Sequence, residues 1–173
     1  MPTGYGFERH GVYRKAGMGI ETHLLLLAVL ALLLLGAAAT DLRARIISNR
    51  LNLTIALLAV PYWFAAGLAP WPDMAWQVAA AAAVFAVFVT AFALGAMGGG
   101  DVKMVSAVAL WLPAEGVLRL IVIMALAGGV LTAAMLIRHK LQRAQHALEV
   151  PYGVAIAFAG LWLISERFLY QFG

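Results

Sequence analysis

Two acids carry the chemical interest of this chain. Asp101 closes the run Gly98-Gly99-Gly100-Asp101, with one apolar stretch before it and another after it. Asp41 ends the first long apolar run, so two of the three aspartates stand at the edges of membrane-length segments. An ionised carboxylate is costly in or near hydrocarbon, and an acid placed there is a functional candidate. Two such acids suggest paired carboxylates working on a peptide bond. One, ionised, takes a proton from water as the water attacks; the other, protonated, supports the oxyanion and the leaving amine. Carboxylates a few ångströms apart cannot both ionise cheaply, so such a pair shares a proton. The glycines let backbone pass close to a substrate and adopt positive φ, and a bulky residue at Gly98 or Gly100 is expected to misplace Asp101.

The elements that must position these acids are helices. Of 173 residues, 64% are hydrophobic and 12% charged, far from the roughly even apolar share and quarter charged share of a soluble domain. The chain therefore reads as a polytopic membrane protein. The apolar runs are long, rich in Ala and Leu, and lack period-two alternation, which argues against strands and against a barrel. The expected fold is all-α, a six-transmembrane-helix bundle with segments at 22–40, 51–69, 75–97, 102–112, 117–137 and 151–169. It forms one domain over 22–170. Residues 1–21 are expected to be an N-terminal tail, for which disorder is one option and a start at Met18 rather than Met1 another. The fourth segment is short: about 11 residues at 1.5 Å each cover roughly half of a ~30 Å hydrocarbon core. It must run past Pro113, or Asp101 must lie below the membrane surface in a wet notch.

Arginines set the orientation. The 41–50 loop holds Arg43, Arg45 and Arg50, and the 138–149 loop holds Arg138, Lys140 and Arg143. Putting these loops inside gives an N-out, C-out topology with Asp41 and Asp101 on the same cytoplasmic side. The net charge of +4 flanks apolar segments and does not form a stripe between aromatics, so no nucleic-acid partner is expected. Without cysteine, disulfides and thiolate chemistry are excluded. The four histidines show no metal-ligand spacing, and no metal or cofactor is expected.

Blander readings compete. Gly95 and Gly99 have the small-xxx-small spacing of packed membrane helices. Asp101 has the chemistry of a helix N-cap, Asp41 could pair with Arg43 or Arg45, and Lys103 could steady the Asp101 charge or meet substrate carbonyls. The competing function is a non-enzymatic transporter or pilus-assembly subunit whose acids bind ions. No repeat relates residues 22–97 to 98–169, which weighs against a transporter built from internal repeats.

Gly98-Gly99-Gly100-Asp101-Val102-Lys103-Met104 resembles the Gly-x-Gly-Asp signature of the prepilin peptidase (type IV leader peptidase) family. Asp41, Arg43 and Arg45, followed by Ile46-Ile47-Ser48-Asn49-Arg50-Leu51, resemble its other motif, in which an aspartate precedes Ile-Pro-Asn. Pro151-Tyr152-Gly153 resembles the opening of its final helix. Ser48 departs from the pattern by standing in place of proline, and the absence of Cys-x-x-Cys pairs points to the short, peptidase-only form of tight-adherence (Flp/Tad) pilus systems. The resemblance implies an intramembrane aspartyl endopeptidase of the bacterial inner membrane. Asp41 and Asp101 would be catalytic, with Gly98, Gly100, Lys103 and Asn49 in support. It would cut basic leaders from prepilin and pseudopilin substrates at the cytoplasmic face; no oligomeric state follows.

Overall fold

The computed structural model describes residues 7–142 and 150–172. These form helices α1 (Phe7–Ala44), α2 (Asn49–Ala65), α3 (Ala75–Ala93), α4 (Gly99–Ala109), α5 (Ala114–Gln142) and α6 (Tyr152–Phe172), with no strand among the described residues. Three stretches are long and apolar enough to cross a membrane: Glu21–Ala44, Pro70–Ala93 and Ala114–Leu141.

The differences from expectation are at helix ends. The first helix begins at Phe7 and takes in most of the presumed tail; residues 1–6, and with them the question of Met1, lie outside the described residues. The expected basic loop shrinks, because α5 runs on through Arg138 and Lys140 to Gln142; Arg143 lies outside the described residues. The third segment stops at Ala93, four residues early, and the chain turns at Gly95 with φ 71°.

The shortest helix occupies the middle. α4 packs on α2, α3, α5 and α6, while α1 closes the bundle against α2 and α6. Val102, Met104, Val105, Ala107, Val108 and Ala109 of α4 are all buried. Being central resolves the length problem. α4 does not run past Pro113, so its C-terminal carbonyls lack partners of their own, and in an apolar bundle they must be met from elsewhere. Trp63 Nε1 donates to the Leu110 carbonyl at 2.7 Å and an Arg167 guanidinium N–H to the Trp111 carbonyl at 3.3 Å. Trp111 in turn donates its indole N–H to the Ile55 carbonyl at 3.0 Å.

In α1 the buried positions are Leu27, Leu30, Leu34, Ala37 and Asp41. Their alternating spacing of three and four is the seam of a helix packed along its length. Asp41 continues that seam, so the packing that buries the leucines also aims the acid inward. At Gly160 an added Cβ would lie 2.8 Å from Leu34 Cδ1, so a small residue lets α6 approach α1 closely. Outward-facing large side chains such as Leu32, Leu57, Phe64, Leu126 and Val130 are more than half exposed, as a lipid-facing surface requires.

Candidate active site

α1 ends one turn beyond Asp41. Arg45 takes φ 55°, and its N–H bonds the Asp41 carbonyl at 3.0 Å, a left-handed cap that stops the helix. The chain then crosses through Ile47, which is buried, to Ser48. Ser48 Oγ accepts from the Leu51 N–H at 3.2 Å and caps α2. A hydroxyl that satisfies a free N–H at the helix start explains how this chain does without the expected proline.

Asp101 is the third residue of α4 and not its N-cap; that position is Gly98, with extended backbone at φ −72°, ψ 144°. The acid folds back over the cap residue, and a Cβ on Gly98 would sit 2.9 Å from Asp101 Oδ2. Positive φ is therefore not what Gly98 supplies; close approach is. Gly100 serves in the same way, since a Cβ there would meet the Ile47 Cβ and carbonyl oxygen at 3.4 Å. Gly99 faces the Phe92 ring at 3.3 Å and Gly95 faces open space, so these two do not make a helix-packing pair.

The third wall comes from α6. The Val154 N–H donates to Asp41 Oδ2 at 3.2 Å. A Cβ on Gly153 would lie 2.8 Å from Asp41 Oδ2 and 2.5 Å from Ile47 Cδ1, and Ile47 also meets the glycine run that leads into Asp101. Asp41 thus stands at the N-terminus of a helix, where the free N–H groups and the helix dipole favour negative charge, and Ile47 ties that helix start to the start of α4. Asp41 is 5% exposed, Asp101 is half-buried, and the Arg45 charge also acts on Asp41.

The proposed supporting residues divide. Gly98 and Gly100 touch the acid and the Ile47 loop. Lys103 Nζ donates to Asn49 Oδ1 at 2.8 Å, so it braces α4 against α2, and among the described residues it makes no ion pair with Asp101. The bond from α2 to the glycine run comes instead from Asn52, which donates to the Gly100 carbonyl at 3.0 Å. Gly153, Val154 and Asn52 were not singled out from sequence; the proline-x-glycine opening of α6 was the available signal for the first two.

The start of α6 packs along the middle of α5. The Tyr152 ring packs over Gly128, halfway along Ala114–Leu141, and α5 continues to Gln142, roughly 21 Å further at 1.5 Å per residue. A cleft of about 550 Å³ between α3 and α5 is lined by Met97 and Tyr152, the neighbours of Gly98 and Gly153. Among the described residues no cluster of three or more His, Cys, Asp or Glu could hold a metal ion.

An all-helical membrane protein with two carboxylates converging on one end of its bundle is the class that fold and site define. The chain belongs to the type IV leader peptidase family, whose family model matches residues 28–133. That span includes Asp41 and Asp101 and stops before α6. No curated protein and no solved structure matches the chain. Membership implies a peptidase.

Proposed function

We propose that the protein is an intramembrane aspartyl endopeptidase of the Gly-x-Gly-Asp type, with Asp41 and Asp101 as its catalytic pair and six helices set in the inner membrane. The observation that carries this reading is the meeting of α1, the glycine run and α6 around Ile47, which sets Asp41 against the Val154 N–H and brings the helix start that holds Asp101 to the same end of the bundle in a chain of a peptidase family. One carboxylate, ionised, takes a proton from a water that attacks the scissile carbonyl. The other gives its proton to the tetrahedral intermediate, and the C–N bond breaks as the amine leaves protonated. The Val154 N–H holds Asp41 in place as a neutral donor, with the Arg45 charge acting on the same acid.

The substrates are precursors with a basic leader and an apolar helix, of the Flp type in the short-form reading, cut at the cytoplasmic face. Arg43, Arg45 and Arg50 lie at the aspartate end, where the positive-inside rule puts the cytoplasm. The cleft beside Met97 and Tyr152 supports entry of an extended junction between leader and helix. The test is cleavage of a purified pilin precursor by Asp41→Asn and Asp101→Asn, made separately. Near-normal turnover by either variant, with unchanged thermal melting, would remove the dyad.

A further inference from the structure

The other end of the bundle holds a largely apolar cavity with a few polar groups that peptide hydrolysis does not use. His23 stacks on Tyr62 with ring centroids 4.9 Å apart, and 18 residues of α1 separate His23 from Asp41, roughly 27 Å along the helix. Beside Tyr62 lies a cavity of about 670 Å³ lined by Asp73, Trp76, Gln77, Trp111 and Arg167 among others. It sits where Pro70–Ala93 and Ala114–Leu141 begin. The indoles of Trp71 and Trp76, 80% and 72% exposed, mark that level as a membrane–water interface.

Three of its groups have unused capacity. Arg167 spends Nη1 on the Tyr62 hydroxyl and the Trp111 carbonyl, and among the described residues its Nη2 and Nε meet no protein acceptor. Asp73 Oδ2 accepts the Ala69 N–H at 3.0 Å, and its other oxygen meets no donor among the described residues. Gln77 is 9% exposed, and among the described residues its amide has no hydrogen-bond partner. The cavity therefore presents one cation, one anion and an unpaired amide at the interface, with the small side chains of Ala79, Ala80 and Ala83 leading along α3 into the apolar zone.

We propose that this cavity binds the headgroup of an aminophospholipid. The phosphate lies on Arg167 and Gln77, the primary ammonium on Asp73 and the Trp76 ring, and an acyl chain runs over Ala80 and Ala83. A glycerol headgroup keeps the phosphate on Arg167 but brings no ammonium to Asp73. A choline headgroup has no N–H for the Asp73 oxygen. Inorganic phosphate shares the Arg167 contact but not the others.

The test is native mass spectrometry of the delipidated full chain, given equal amounts of phosphatidylethanolamine, phosphatidylglycerol and phosphatidylcholine with matched acyl chains, and in a separate arm millimolar inorganic phosphate. The ethanolamine lipid is expected to be retained several-fold over the other two, and phosphate is expected not to displace it. Asp73→Asn keeps an acceptor for the Ala69 N–H and should reduce the preference for ethanolamine over glycerol headgroups at least threefold. Gln77→Leu should lower retention of all three lipids. Equal retention by the wild type, an unchanged preference in Asp73→Asn, or displacement by phosphate would each overturn the assignment. Asp73 is exposed, so its variant carries the test should Gln77→Leu melt early. Cleavage is not part of the readout, so the result stands apart from the peptidase reading.

Discussion

The two ends of the bundle use polar groups in opposite ways. At the aspartate end, Asp41 meets a backbone N–H donated by a helix start, Asp101 folds back over its glycine cap, and Gly98, Gly100 and Gly153 stand where a Cβ would intrude. At the Arg167 end, side chains bond to the carbonyls that the short α4 leaves open: Trp63 to Leu110 and Arg167 to Trp111, with Trp111 reaching across to Ile55. The first arrangement leaves carboxylate oxygens available, and the second spends its indole N–H groups and one guanidinium nitrogen on carbonyls that hold helices together while the rest of its capacity stays open. Backbone donors facing acids mark one end, and side-chain donors facing backbone carbonyls mark the other.

Substitutions at the two ends should separate activity from stability. The largest effect is expected from Asp41→Asn or Asp101→Asn: a loss of cleavage of about a thousand-fold or more, with thermal melting little changed. Equal melting with retained cleavage would break the contrast at once. Gly153→Val comes next. Its side chain meets Asp41 and Ile47, and a displacement near 1 Å costs on the order of a hundred-fold in rate, read as kcat in the same assay. Tyr62→Phe should do the reverse, lowering stability by about 1–3 kcal/mol through loss of the Arg167 bond while kcat per folded molecule stays the same.

A smaller effect sharpens the electrostatics. The proposed mechanism needs one carboxylate charged and one protonated, so the rate should fall on both flanks of a bell-shaped pH profile whose limbs belong to the pair. The smallest effect is expected at the exposed Arg119–Glu166 pair, whose atoms approach to 2.6 Å. A double-mutant cycle there should yield about 0.2–1 kcal/mol.

Much of the site was legible because its signals are local. The glycine run stands directly before Asp101, and Arg43, Arg45 and Arg50 stand within ten residues of Asp41. What the sequence withheld depends on distance along the chain. The Val154 N–H reaches Asp41 across 113 positions, and no local pattern encodes that contact. Lys103 looked like a partner for Asp101 because it is two residues away, but two residues along a helix point to different faces, and its ammonium meets Asn49. Helix ends were misplaced for a related reason. The residues between Ala93 and Gly99 are nearly all apolar, so composition gave no stop, whereas the backbone turns at Gly95.

The unbroken alternation of Leu27, Leu30, Leu34, Ala37 and Asp41 makes the acid's direction a matter of phase. An extra residue inserted anywhere between Ala37 and Asp41 would rotate the carboxylate by about 100° about the α1 axis, out of the cleft and toward lipid, although every side chain of the site would still be present. An insertion of seven would restore the heading and leave the acid one heptad, about 10 Å, further along. The leucines of α1 therefore work as an indexing track, and the most damaging lesion short of removing the acid is a single added alanine upstream of it.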